Sequence, residues 1–274
     1  MSIFQGIILG IIQGLTEFLP VSSSAHLVLV PYLLQWRLDA DSAFVFDVIV
    51  QLGTLAAVII YFWKDLIAII SAMLAALKAG QPFRDGPSLL GWWIVLATIP
   101  AGLAGLLLKS KVEAAFASPL VTAIFLFVVA IIMTLAEGLG KQNRSLEAMR
   151  LPDAVTVGLF QALAIFPGIS RSGATISGGL LRGLNRDAAA RFSFLMSVPI
   201  MLAAGALAVK DLAELPNLAQ FLPVMLLGFL VAGVVGYFAI RWLLGYLRKN
   251  SLIPFALYCA LLSIVTIFVI SGRG

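Results

Sequence analysis

Residues 13–25 read QGLTEFLPVSSSA, and residues 161–173 read QALAIFPGISRSG. Laid on each other without gaps, they match Gln13 with Gln161, Leu15 with Leu163, Phe18 with Phe166, Ser22 with Ser170 and Ser24 with Ser172. The same offset pairs Asp39 with Asp187, Phe44 with Phe192 and Phe46 with Phe194. The agreement points to an internal duplication, with halves of about 1–136 and 150–274 inside a single membrane domain covering 1–274.

Both copies are polar islands in an apolar chain. Hydrophobic residues fill 61% of the 274 positions and charged residues 11%, and the mean hydropathy is +1.07, far above a soluble domain. Runs that can cross a ~30 Å hydrocarbon core, which takes about 20 helical residues, occur at 44–63, 91–108, 119–136, 192–209, 219–240 and 252–270. Barrel alternation is absent, so the fold class is all-α integral membrane, with six transmembrane helices. The longest polar connections, 64–90 and 137–154, leave no room for a soluble domain. Three spans separate the copies, and an odd number inverts the second relative to the first. That is the inverted-topology repeat in which membrane sites form between halves, at broken helices near the midplane.

The copies themselves are too short to span. Residues 3–19 make a helix of about 25 Å ended by Pro20, and residues 24–34 one of about 16 Å. Re-entrant helical hairpins over 3–35, from outside, and 155–184, from the cytoplasm, fit these lengths. Irregular backbone at PVSSS and PGISRS is tolerable at depth only where it faces protein or water, so both tips are expected to line a cavity.

The net charge of +5 and isoelectric point near 9.6 reflect topology, not nucleic acid, because the basic residues are scattered over loops. With six alternating spans, one side holds Lys64, Lys78, Arg84, Lys141, Arg144, Arg150, Arg182, Arg186, Arg191, Arg241, Arg248 and Lys249; the other holds Arg37, Lys109, Lys111, Lys210 and Arg273. The positive-inside rule makes the first side cytoplasmic and puts both termini outside. No Lys or Arg precedes Arg37, and Gln13 and Glu17 interrupt the first apolar run, so no cleaved signal peptide is expected. The lone Cys259 excludes a disulfide framework and a cysteine metal cluster.

An ionised side chain at the bilayer centre costs about 2.5–3.5 kcal/mol, so Glu17, His26 and Arg171 are expected to work together. Gln13 and Glu17, four apart, share a helix face and point two oxygens the same way, a pair suited to a divalent cation such as magnesium, which keeps waters and shares phosphate oxygens. Ser22, Ser23 and Ser24 precede a helix at the capping position, and a helix N-terminus also suits phosphate. Ser170, Arg171, Ser172 and Thr175 repeat that design with an arginine fork added. His26 lies one turn after Ser23, near enough to deprotonate its hydroxyl or to attack phosphorus itself. A structural reading has Glu17 neutralising Arg171 or capping a helix, the serines only capping, and His26 filling a core position. Asp47 and Gln51 form a further polar pair, read as helix contacts or a supporting layer. One histidine rules out HExxH and the two-histidine lipid phosphatases; no GxxxxGK[ST] exists, and Gly173, Gly178 and Gly179 fit no dinucleotide pattern.

At these residues the chain resembles the bacterial undecaprenyl pyrophosphate phosphatases, the bacitracin-resistance family. Two signatures carry the resemblance: (E/Q)xxxE, here QGLTE continuing into FLPVSSSAH, and PGxSRSxxT, here PGISRSGAT. Downstream of each signature, FDVIVQLGT and RFSFLMSVP are also similar to the family's sequence. The resemblance implies hydrolysis of undecaprenyl pyrophosphate to the monophosphate and inorganic phosphate, with Mg or Ca, which recycles the carrier for cell-wall synthesis. It implies a multi-pass protein of the bacterial plasma membrane, with the site open to the periplasmic or extracellular face. It assigns Gln13, Glu17, Ser22, Ser23, His26, Ser170, Arg171 and Thr175 to the site. Position 13 is glutamine, which the pattern allows, leaving Glu17 the sole acidic ligand. Combining both arguments, Glu17, Ser23, His26 and Arg171 are expected to catalyse; Ser22, Ser24, Ser170, Ser172 and Thr175 to bind substrate; and Gln13 and Glu17 to hold the metal. Either Ser23, helped by His26, or His26 alone forms the phosphoenzyme. Expected partners are the polyprenyl pyrophosphate, membrane lipids and a second copy in a homodimer, with no nucleic acid. The rival reading, a transporter or flippase of a phosphorylated lipid or small anion, uses the same anatomy.

Overall fold

The computed structural model describes the chain except residues 37, 39, 85, 214–217 and 274, and gives backbone alone for 40–42, 44, 207–213 and 218–220. Arg37, Asp39 and the side chains of Phe44 and Lys210 therefore lie outside the described residues. Among the described residues the chain is helical, with no β-strand.

A first pair of short helices, α1 (Ile3–Thr16) and α2 (Ser23–Leu33), is followed by α3 (Ala40–Tyr61), α4 (Trp63–Lys78), α5 (Pro87–Leu107), α6 (Lys109–Phe116) and α7 (Pro119–Leu139). A second short pair, α8 (Leu151–Leu163) and α9 (Arg171–Leu181), precedes α10 (Arg186–Ala213), α11 (Leu218–Leu247) and α12 (Ile253–Arg273). Among the described residues five helices are long and apolar enough to cross a bilayer: α5, α7, α12, the Arg186–Ala206 part of α10 and the Phe221–Leu247 part of α11. The protein is thus a multi-pass membrane protein.

The sixth expected span is α3, which passes as a span together with α4; what needs correction is the polar connection expected after it. After Tyr61 the chain bends by 75° and runs on as α4, through the region expected to be a polar connection. Its charges sit only at its ends, Lys64 and Asp65 at the start and Lys78 in the last turn. Between them Ile67, Ile70, Leu74 and Leu77 stay exposed, as a lipid-facing helix requires, because lipid solvates apolar side chains as well as protein does. Asp65 is anchored by Arg191 of α10 at 2.8 Å.

The short helices cannot span. Helix α1 has 14 residues and α8 has 13, about 21 and 20 Å against a ~30 Å core. Ser2 starts α1 with a capping box: its hydroxyl accepts from Gln5 N, and Ser2 N donates to the Gln5 side chain. The helix ends one turn before Pro20, with Glu17 as its C-cap. Helix α1 packs on α2 and along α11, and α8 packs on α9 and along α5. The α1–α11 approach depends on small residues: a Cβ on Gly10 would meet Gly228 O at 2.9 Å, and one on Gly14 would meet Ala232 O at 2.8 Å. Without a hydrophobic drive in lipid, such close packing is what associates helices.

Two contacts tie α2 to α12. Arg273 donates to the carbonyls of Tyr32 (3.0 Å) and Leu33 (3.2 Å) at the end of α2, and Tyr258 meets His26 near its start at 2.7 Å. Phe18, fully buried, fills the centre edge-on to Phe194 at 5.3 Å.

Candidate active site

The two tips meet. Helix α2 starts at Ser22, whose φ of 71° turns the chain back and whose hydroxyl accepts from Ala25 N at 3.3 Å. Helix α9 starts at Ser170, whose hydroxyl accepts from Gly173 N at 3.0 Å. In each tip the capping serine lies 3.2 Å from the serine two residues on, Ser22 from Ser24 and Ser170 from Ser172. That further serine then crosses to the other tip: Ser24 accepts from Gly168 N at 3.4 Å, and Ser172 donates to Leu19 O at 3.1 Å. Gly168, at φ 98°, is forced to be glycine twice over, since a Cβ there would lie 2.3 Å from Thr122 O on α7.

Where the tips cross, Glu17 is 5% exposed and binds on three sides. Its Oε1 accepts from Arg171 Nη2 at 2.6 Å. Its Oε2 accepts from Ser23 Oγ at 2.7 Å and from Gln13 Nε2 at 2.9 Å. Burial makes each partner necessary, because a lone carboxylate out of water is strongly disfavoured.

Gln13 Nε2 also donates to Thr54 Oγ1 at 3.3 Å, while that hydroxyl gives its own proton to Gln51 O at 2.8 Å. Both neighbours of the amide nitrogen are therefore acceptors, which fixes its orientation. Gln13 Oε1 is left buried and without a partner, and so is Arg171 Nη1. Both atoms are thus free for a ligand: the amide oxygen can take a proton donor or cation, and the guanidinium an acceptor. Among the described residues no three His, Cys, Asp or Glu side chains cluster. Gln13 turns its amide nitrogen rather than its oxygen toward Glu17, so the two oxygens do not point the same way as the four-residue spacing implied; Gln13 Oε1 and the carboxylate would share a hard cation only through water and substrate oxygens that complete its shell.

Three further expected residues are placed otherwise than the spacing implied. Ser23 donates to Glu17, and the His26 nitrogens reach Ser22 O and Tyr258 Oη, each at 2.7 Å; this pairing replaces the anticipated Ser23–His26 contact. Thr175 is fully buried, its hydroxyl shared between Arg171 O at 2.7 Å and Ser193 Oγ at 2.6 Å, so it braces the turn that carries Arg171. Asp47 and Gln51 lie on α3, and Gln51 reaches the site through its carbonyl, by way of Thr54. Sequence reasoning missed Thr54, Ser193 and Tyr258. Thr54 ends the stretch FDVIVQLGT and Ser193 lies inside RFSFLMSVP, whereas Tyr258 sits in an apolar helix with no local signal.

Comparison with known proteins places the chain in a family. The family model described as bacitracin resistance protein BacA matches residues 6–265. A protein of Moorella thermoacetica named undecaprenyl-diphosphatase is 44% identical over 271 residues, covering 98% of each chain. Proteins of the same name from Thermomicrobium roseum, 41% identical over 99% of each chain, and Myxococcus xanthus, 41% identical over 97% of this chain and 88% of its own, also match. With the model covering nearly its whole length and both tips built from the motif residues, the chain belongs to the bacitracin resistance protein BacA family.

Proposed function

We propose that this chain is an undecaprenyl-diphosphatase that cleaves the terminal phosphate of undecaprenyl pyrophosphate, releasing undecaprenyl phosphate and inorganic phosphate. The name shared by its full-length relatives supports the activity, and bacitracin resistance accords with the family. The transport reading draws no support from those relatives. The observation that carries the chemistry is the convergence of Arg171, Ser23 and Gln13 on Glu17 across the two tips.

In the mechanism, Arg171 Nη1, which lacks a partner, takes a phosphate oxygen of the substrate while Nη2 keeps Glu17 in place. The N-termini of α2 and α9 add their partial positive charge. Ser23 Oγ attacks the terminal phosphorus and passes its proton to Glu17 Oε2, the acceptor it already faces. The bridging P–O bond breaks and undecaprenyl phosphate leaves. Water then attacks the phosphoserine; Glu17 returns its proton to Ser23 Oγ as that P–O bond breaks, and His26 takes the proton from the water. Direct attack by His26 is the less supported route, since Nδ1 gives its hydrogen to Ser22 O and the Tyr258 hydroxyl stands at Nε2, where it bars phosphorus but can relay a proton. A magnesium or calcium ion held by Gln13 Oε1 and Glu17 would supply charge neutralisation at the phosphate oxygens.

The positive-inside count supports placing both termini and the site on the periplasmic or extracellular side of a bacterial plasma membrane. Five residues of the basic set are drawn together with carboxylates at their own end: Arg144 and Arg182 on Asp153, Arg186 on Glu137, Arg191 on Asp65 and Arg248 on Asp187. The deciding experiment is phosphate release from undecaprenyl pyrophosphate by the purified protein in detergent, with divalent metal chelated and then restored. Release that stops and resumes is the expected result. Substrate binding without release would leave a carrier, and the proposal would fail.

A further inference from the structure

The imidazole of His26 is held at both nitrogens by groups of different character. Its Nδ1 lies 2.7 Å from Ser22 O, and a carbonyl oxygen can only accept, so Nδ1 carries the hydrogen. A neutral imidazole then has its lone pair on Nε2, and that nitrogen lies 2.7 Å from the hydroxyl of Tyr258, 232 residues away on α12. The two ring planes are 2° apart, with centroids at 5.6 Å. His26 is 5% exposed while Tyr258 is 45% exposed, so the phenol covers the outer side of the imidazole. Leu257 and Leu261 beside it are exposed apolar residues of α12, which places Tyr258 between the site and the lipid-facing surface.

We infer that Tyr258 is a positioning residue for His26: with the Nδ1–H tautomer set by Ser22 O, its hydroxyl holds the ring from the other side and serves Nε2 as the partner through which that nitrogen exchanges protons. A phenol suits both halves of a proton transfer, because it donates to neutral Nε2 and accepts from Nε2–H once the ring is charged. Phenylalanine could do neither. A proton that arrives through the phenol leaves every valence filled: Tyr258 hands its own proton to Nε2 and receives the incoming one. The Nδ1–H bond to Ser22 O survives both states, so the ring keeps its orientation through the cycle, as a second partner does for histidines in other sites. Because Ser22 also caps α2, the tautomer is tied to the backbone of the tip that presents Ser23.

The inference rests on the reading of His26 as a participant in the hydrolysis, and the test separates the two. His26 is the only histidine in the chain, so histidine labelled with nitrogen-15 reports this ring alone. In the wild-type protein the spectrum is expected to show protonated Nδ1 and hydrogen-bonded, unprotonated Nε2. Tyr258→Phe, which keeps the ring and removes the hydroxyl, is expected to shift the Nε2 resonance and to lower kcat about tenfold, the worth of one hydrogen bond, with KM unchanged. A wild-type spectrum of the Nε2–H tautomer, or Tyr258→Phe with unchanged resonances and kcat, would overturn the inference. His26→Gln retaining full turnover would instead overturn the reading of His26 as a base, whatever the spectra show.

Discussion

Ser23 and Arg171 occupy the same position of the two tips, the first residue of α2 and the first of α9, and they bind opposite oxygens of Glu17 at 2.7 and 2.6 Å. Two helix starts at matching positions of the sequence alignment thus face one carboxylate with different chemistry, a hydroxyl on one and a guanidinium on the other. Glu17 itself has no counterpart, since the offset that pairs Ser23 with Arg171 sets Glu17 against Ile165 and His26 against Ala174. On the proposed mechanism, one copy carries the acid and the base, and the other carries the phosphate clamp.

Replacing Arg171 by lysine keeps the charge but loses the fork that binds Glu17 and the substrate together. Turnover should fall by about 100-fold or more, the usual cost of a lost donor to developing phosphate charge. Arg171→Ala should be inactive and also less stable, by about 3 kcal/mol, because it leaves the Glu17 carboxylate buried without its counter-ion. Phosphate release and thermal unfolding in detergent measure the two effects. Lysine supporting near-normal rates would count against the clamp.

Ser23→Ala should reduce kcat by at least about a thousandfold, as loss of a nucleophile does, and quenched reactions with labelled substrate should yield phosphoserine in the wild type and none in the variant. Label retained on the alanine variant as phosphohistidine would transfer the nucleophile's role to His26. Ser24→Ala, which removes the long contacts to Gly168 N at 3.4 Å and to Ser22 Oγ at 3.2 Å, should cost much less.

Much of this arrangement was legible in the sequence, for reasons that differ from residue to residue. The hairpins announced themselves through Pro20, the serine caps and the expense of Glu17 and Arg171 in lipid, all local signals. Their meeting was expected from the matching motifs, because polar loops of that kind are tolerable in an apolar protein only where they face each other, protein or water. The bent helix α4 was not, since flanking charges mask a short apolar stretch when composition is averaged. Nor was Tyr258: an aromatic in an apolar membrane helix carries no mark until the fold brings α12 against α2. The pairing of Ser23 with Glu17 in place of His26 was equally hidden, because helical spacing puts His26 on a neighbouring turn without saying which way the ring points.

Thr175 and Ser193 share a 2.6 Å bond in a fully buried site. Thr175→Val leaves the Ser193 hydroxyl unsatisfied and should destabilise the protein by about 1–3 kcal/mol. The double change with Ser193→Ala should recover most of that loss, since removing both partners is far less costly than removing one. Thermal unfolding of the three variants checks this, and additive losses would refute the coupling.

Asp153 anchors the start of α8, fully buried, between Arg144 at 2.7 Å and Arg182 at 2.9 Å, and it accepts from Arg150 N at 2.9 Å. Burial works against its ionised form, but the two arginines and the backbone amide prevail and hold its carboxyl below the ordinary range. A lowered folded value means the carboxylate contributes stability above its unfolded pKa of about 3.9, and the contribution is lost as pH falls through the folded value. Asp153→Asn should therefore lower stability near neutral pH by about 1–3 kcal/mol, with the arginines partly solvated. The gap from wild type should close as unfolding is tracked into acid. A gap independent of pH would mean that packing, not charge, anchors the hairpin.

Gln13 offers the sharpest handle on the cation. Its amide nitrogen is committed to Glu17 and Thr54, and its oxygen is buried without a partner, so the side chain is oriented before any ligand arrives. Gln13→Leu removes that oxygen while preserving volume, and it should raise the divalent-ion concentration for half-maximal phosphate release by about tenfold or more, by analogy with the loss of a supporting group at a metal site. The rate at saturating ion should change much less. Gln13→Glu should act in the opposite sense, adding a second carboxylate to the ligand pair and lowering the ion requirement. Titrating magnesium and calcium against phosphate release in all three proteins measures both shifts. Identical ion requirements throughout would remove Gln13 from the metal's reach and leave Glu17 serving Arg171 and Ser23 alone.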